Sequence, residues 1–141
     1  MKIRSYIDRD SGHCYLEAIL VTDKLPKPER LLLLIDTGAG TTTILDGDCA
    51  RLGLDCKRLP KNRTPTMVVG GLIDAHMLTD VAFLFRDTDG NLQAEFLKAI
   101  EVIDPAQGGP RPSFSIMGVD LLRRFKRFVV DYENDEAFLE R

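Results

Sequence analysis

Residues 31–45 run LLLLIDTGAGTTTIL. A short, continuous apolar run from Leu31 to Ile35, ended abruptly by turn-forming residues, predicts a strand buried on both of its faces. That strand delivers one carboxylate, Asp36, into a tight Thr37-Gly38-Ala39 turn, where backbone N–H groups can hold the side-chain oxygens. Thr41 to Leu45 then predicts another strand. An aspartate that merely caps a β-turn has the same local appearance, so the tripeptide alone leaves both readings open.

Upstream, residues 13–21 (HCYLEAILV) alternate as a strand does, and the charged, Pro-containing stretch from Asp23 to Arg30 is the loop that follows. Downstream, DGDCARLGL predicts a short helix capped by Asp46, running through Leu52 and stopped by Gly53. After a basic linker (Lys57 to Arg63), β-formers from Thr64 to Leu84 are interrupted by Gly70-Gly71, the expected tip of a hairpin. Asp89-Gly90-Asn91 marks a second hairpin turn, between strands at 81–86 and 92–103; the latter is long enough to expect a bulge. A Gly/Pro-rich loop, Pro105 to Pro112, precedes the apolar phrase Ser115-Ile116-Met117-Gly118-Val119-Asp120. That phrase leads into a short helix, Leu121 to Phe125, capped by Asp120. Arg127–Tyr132 and Ala137–Leu139 read as a closing hairpin. With no internal repeat, the expected architecture is one all-β domain over residues 1–141 with two short helices.

Composition narrows the function. The 141 residues are 44% hydrophobic and 29% charged with a net charge of −3, the profile of an ordinary globular protein. The acidic balance argues against nucleic acid as a partner. The one basic cluster, Arg123, Arg124, Lys126 and Arg127, is surrounded by acids and reads as a solvated face. Leu31 to Ile35 falls far short of the roughly twenty apolar residues of a bilayer span, and MKIRSYIDRD breaks into charge before a signal-peptide core forms. The expectation is therefore no membrane and a cytoplasmic chain, or one cut from a larger protein. Cys14, Cys49 and Cys56 show no CxxC spacing and cannot all pair, so reduced thiols are expected rather than a metal site. No metal and no cofactor is expected.

Leu34-Ile35-Asp36-Thr37-Gly38-Ala39 resembles, at every position, the hydrophobic-hydrophobic-Asp-Thr/Ser-Gly-Ala/Ser signature of the retropepsin-like aspartic proteases. Their second signature, two hydrophobic residues and a glycine late in the chain followed by a short helix, is matched by Ile116-Met117-Gly118-Val119-Asp120-Leu121-Leu122, with Val119 where an Arg is common. ILDGDCARLGL is similar to the helix that bacterial and cellular members place after the catalytic strand. Met67-Val68-Val69-Gly70-Gly71-Leu72 stands where that family has its flap. The resemblance spans about residues 13 to 132. It implies a small acid-protease-type β-barrel, closed or partly open, with one flap hairpin.

The chemistry of such an enzyme needs two carboxylates, one protonated and one ionised, with a water between them. Asp10-Ser11-Gly12 is formally a second triplet, but Asp8 and Arg9 precede it where a buried strand is needed, so it reads as a hairpin turn; Asp87-Thr88-Asp89-Gly90 is not the motif. The resemblance implies a homodimer instead, each subunit giving Asp36 to one site on a two-fold axis. It also implies that Thr37 locks the two loops across that axis, that Gly38 permits close approach, and that Ala39 lines the cleft with Ile116, Val69, Gly70 and Gly71 against a polypeptide substrate. Phe128–Tyr132 and Phe138–Leu139 would be the strands pairing between subunits. His76 reads as a surface residue, Asp120 as a helix cap and brace for the active-site loop, Cys49 as a buried apolar group, and Phe83, Phe85 and Phe96 as core or subsite walls. Gly70-Gly71 serves equally as a plain turn.

Two other functions remain open on sequence. IDTGAGTTT is also similar to the phosphate loops of actin-like and sugar-kinase ATPases, but that fold needs two α/β domains and far more chain than this. A catalytically silent retropepsin-like module for dimerisation or peptide binding would keep the fold without the reaction. A buried carboxylate that such a module has no chemical use for argues the other way.

Overall fold

The computed structural model describes residues 1–62, 65–68, 71–104 and 114–141, with only the backbone at Met67, Val68 and Gly71. In chain order the elements are β1 (Lys2–Ile7), β2 (Cys14–Val21), β3 (Glu29–Ile35), β4 (Thr43–Ile44), α1 (Asp46–Leu52) and a 3-10 turn (Cys56–Arg58). Then follow β5 (Thr66–Val68), β6 (Gly71–Ile73), β7 (Ala75–Arg86), β8 (Leu92–Ile103), β9 (Ser115–Met117), α2 (Val119–Leu122), β10 (Arg127–Asp131) and β11 (Glu136–Glu140). The fold is all-β in class. Val69, Gly70 and the Pro105–Pro112 loop lie outside the described residues.

Six strands in the order β2-β3-β9-β4-β8-β7 close into a barrel, because β7 returns to pair with β2 through Ile19–Val21 and Ala82–Leu84. Closure removes the open strand edges that such a sheet would otherwise expose. The alternation expected of β2 is realised as Leu16, Ala18 and Leu20 inward. With Leu33, Ile44, Phe83, Phe85 and Met117 they form the core. Phe85 packs edge-on against Phe125 at 5.8 Å, whereas Phe96, on the same strand pair, is 69% exposed on the outer face. Two of the three alternating phenylalanines are therefore core and the third is surface.

Several local expectations need correction. β3 buries Leu31, Leu33 and Ile35 but leaves Leu32 and Leu34 half-buried, so it is covered fully on one face only. The strand expected at Thr41–Leu45 is reduced to Thr43–Ile44, since Thr41 and Thr42 are spent in the loop. α1 has the expected bounds, but its N-cap is Leu45 and Asp46 is its first helical residue; Gly53 stops it in the left-handed region at φ 71°. Asp120 likewise sits inside α2, whose N-cap is Gly118. β8 carries no bulge: its register with β7 is continuous on both sides of Asp80, a strand residue at φ 54°. His76 is buried, its Nδ1 3.2 Å from the Leu59 carbonyl oxygen and its Nε2 3.6 Å from the Asp104 carboxylate.

The ends of the chain hold each other. β1, which the sequence reading missed, lies between β2 and β11, and β11 pairs on its other side with β10. Ala137, Phe138 and Leu139 are buried by these partners within one chain, so they are not free apolar edges awaiting a second subunit. The basic cluster Arg123, Arg124, Lys126 and Arg127 is exposed, as expected of a solvated face. All three cysteines are free and buried; Cys49 and Cys56 place their sulfurs 3.1 Å apart, and burial pushes the Cys49 thiol well above its ordinary value.

The β1–β2 and β7–β8 turns are both hairpins tied by an aspartate, Asp8 and Asp87. Asp87 accepts from the backbone amides of Asp89 and Asn91 and from Gln93 Nε2, each at 2.9 Å. Burial alone would raise this carboxyl, but the bonds from Gln93, Asn91 and Asp89 hold it below the ordinary aspartate value. A depressed folded value stabilises the fold above the ordinary value, and that contribution is lost as pH falls through the folded one. Asp87→Asn is therefore expected to melt below wild type at neutral pH, with the gap closing in acid. Parallel melting curves at every pH would show that the Asp87 charge contributes nothing.

Candidate active site

Asp36 stands where β3 ends. Its amide donates to the Met117 carbonyl at 3.1 Å, continuing the parallel β3–β9 pairing into the turn. Its Oδ1 accepts the Gly38 N–H at 2.8 Å, and its carbonyl accepts the Ala39 N–H at 3.2 Å. A Cβ on Gly38 would lie 3.2 Å from that same Oδ1, so a residue without one lets the amide meet the carboxylate. Asp36 and Ala39 are half-buried; Thr37 and Gly38 are exposed. The turn thus fixes one oxygen of a half-buried carboxylate at the end of β3.

β9 holds the turn from behind. It runs between β3 and β4, so the chain leaves β3, loops over the end of β9 and comes back on its other side as β4. Val119 N–H donates to the Ala39 carbonyl at 2.8 Å and Asp120 N–H to the Gly40 carbonyl at 3.2 Å. The Asp120 Oδ1 accepts from both the amide and the hydroxyl of buried Thr42, at 2.9 and 2.7 Å, while Thr42 Oγ1 accepts the Gly118 N–H at 3.1 Å. Asp120 is the brace that the sequence suggested, acting from within the first turn of α2. Ser115 adds a second brace: its hydroxyl donates to Asp48 of α1 at 2.7 Å and accepts the Leu45 amide at 3.1 Å.

A cleft of about 480 Å³ opens in front of the turn. Asp36, Gly38, Ala39 and Ile116 all line it, so four of the sequence-derived residues come together. Thr37 is exposed beside them and does not line the cleft. β5 and β6 form an antiparallel hairpin, with Gly71 opposite Val68, and contribute Thr66 and Ile73 to the wall. Val69 and Gly70 are outside the described residues, so only Gly71 of the three expected tip residues has a place, at the head of β6. Glu101 of β8 also lines the cleft and was missed. Its signal is not local: the parallel pairing of Thr43 with Glu101 brings it there. Among the described residues, no group of three or more His, Cys, Asp or Glu side chains is placed to hold a metal ion. No helix among them is long and apolar enough to cross a membrane.

No family model and no curated protein matches this chain. Solved structures do. A retropepsin-like aspartic protease from Rickettsia conorii is 23% identical and superposes with a TM-score of 0.60 over 99% of this chain and 89% of its own. The EIAV protease, in complex with an inhibitor, is 19% identical with a TM-score of 0.54 over 88% of this chain and 98% of its own. This chain has the retropepsin-like fold. The retropepsin-like barrel accounts for the threading of β9 between β3 and β4, and so for the pairing of the Asp36 turn with the Gly118 turn.

Proposed function

We propose that this chain is an aspartic endopeptidase that works as a homodimer, each copy supplying Asp36 to one shared site. The supporting observation is the placement of Asp36: a carboxylate held in a braced turn at a cleft, with Thr37 and Gly38 exposed beside it. Among the described residues Glu101 is the other carboxylate lining the cleft, tied to the hairpin side by Asn62 and Thr66. The second carboxylate of the dyad is Asp36 of a second copy, since a two-fold axis brings identical residues together.

In that dimer two adjacent carboxylates cannot both ionise, so they share one proton. The ionised Asp36 takes a proton from a water lying between the pair while the water oxygen attacks the scissile carbonyl carbon. The protonated Asp36 gives its proton to the carbonyl oxygen, leaving a neutral gem-diol. Return of a proton to the amide nitrogen lets the C–N bond break, giving a carboxylic acid and an amine. Ala39 and Ile116 flank the reacting bond, the β5–β6 hairpin covers an extended polypeptide, and Val69, Gly70 and Gly71 contact that polypeptide. Thr37 hydrogen-bonds across the axis to fix the two turns.

The test is cleavage of an unbiased peptide library over a range of protein concentrations. When the protein is dilute, the rate is expected to rise with the square of its concentration. Thr37→Ala is expected to raise the dimer dissociation constant at least about tenfold, each tenfold being about 1.4 kcal/mol; sedimentation measures it directly. Rates linear in protein at every dilution would overturn the shared site, and a folded wild type that binds peptides without cutting them would make the chain a binding module.

A further inference from the structure

We propose that Glu101 makes this cleft select peptides that present a lysine or arginine side chain to its β8 wall. The inference deepens the protease reading and rests on the same cleft. Glu101 lies at the cleft because β4 and β8 pair in parallel, and its amide donates to the Thr42 carbonyl at 3.0 Å, directly behind the Asp36 turn. Its Oε1 accepts from Asn62 Nδ2 at 3.2 Å and its Oε2 from Thr66 Oγ1 at 3.1 Å. Both donors are neutral, and a carboxylate has room for about four hydrogen bonds, so acceptor capacity remains.

The charge itself is unused by these contacts. A glutamine would accept from Asn62 Nδ2 through its carbonyl oxygen and donate to the Thr66 hydroxyl through its NH2 group, and so steady the start of the β5–β6 hairpin without the charge. Among the described residues no Lys, Arg or His lines the cleft, and none forms an ion pair with Glu101. The two charged residues of the described lining, Asp36 and Glu101, are both acidic. Leu45, Ile73, Ile103 and Ile116 supply apolar wall around them. A half-buried anion beside apolar wall fits a side chain with a hydrocarbon stem and a cationic head, which is the chemistry of lysine and arginine.

Binding, read without hydrolysis, tests this. Asp36→Asn protein is titrated with fluorescent peptides that differ only in carrying lysine or norleucine at each position in turn. At the positions that face the two Glu101 side chains of the dimer, lysine is expected to bind roughly tenfold tighter, a preference that shrinks as salt rises from about 0.05 to about 0.5 M. Adding Glu101→Gln is expected to bring the ratio close to one. An equal loss for both peptides would overturn the proposal and leave Glu101 a tether for the hairpin. No lysine preference in the parent, or one that survives Glu101→Gln, would overturn it as well. A Glu101-dependent preference without cleavage by wild type would fail the protease and keep the subsite, whereas cleavage without the preference would do the reverse.

Discussion

Asp36→Asn protein is expected to hydrolyse no peptide measurably, a loss of at least about a thousandfold in kcat/KM, while folding and dimerising as wild type does. Asparagine has nearly the same shape and keeps an oxygen for the Gly38 N–H, so the 2.8 Å bond that shapes the turn survives. What it removes is the capacity to take a proton from water. In the proposed homodimer one gene supplies both halves of the site, so the substitution would remove both carboxylates at once and leave nothing to share the proton. The loss should therefore appear in kcat and be the same for every peptide in the library. Unchanged melting and sedimentation would confirm that only the chemistry was lost. Residual activity that purifies with the folded variant would move the reaction away from Asp36.

The largest effect on stability is expected at Gly118. Its φ of −85° suits any residue, so the requirement is not conformational freedom. A Cβ there would lie 2.5 Å from the Thr41 carbonyl carbon, 2.7 Å from its oxygen and 2.8 Å from the Thr42 nitrogen. All three are backbone atoms and cannot rotate away. Gly118→Ala must push the loop over β9 outward, straining the Gly118–Thr42, Val119–Ala39 and Asp120–Gly40 hydrogen bonds together. Overpacking of this kind, with bonds of about 1 kcal/mol each disturbed, is expected to destabilise the chain by about 3 kcal/mol or more. For a chain of this size the Tm should fall by roughly 10 °C, as calorimetry would show. Any folded fraction should be nearly inactive, because the same displacement moves Asp36. A melting temperature equal to wild type would show that the two turns are not in tight contact.

The sequence carried the fold class and the site's central strand because both are local. Leu31–Ala39 states its strand and turn in consecutive residues, and Gly53 states a helix end by itself. β1 escaped because its inward positions are Ile3 and Ser5, a buried hydroxyl that breaks the apolar alternation, while Lys2 and Arg4 make the segment look solvated. Phe138 and Leu139 were rightly read as needing cover, but the strands that cover them lie in the same chain. Glu101 gave no signal at all, since only pairing with a strand far away in sequence turns a surface-like glutamate into part of a cleft wall. His76 was misplaced for the same reason: its burial comes from the segment around Leu59 and from Asp104.

The loop over β9 joins stretches far apart along the chain. Thr42 and Asp120 are 78 positions apart, and Gly118 and Thr42 are 76. No nascent or partly folded segment can hold Asp36 in place, because its support arrives only when the last third of the chain has docked. Loop-closure entropy must be met before these contacts form, which puts such β topologies among the slow folders, on the order of milliseconds to seconds. The carboxylate is thus expected to gain its fixed direction only when β9 and α2 dock against the loop that carries it. In the proposed homodimer, competence to pair with a second copy would then arrive together with the completed barrel.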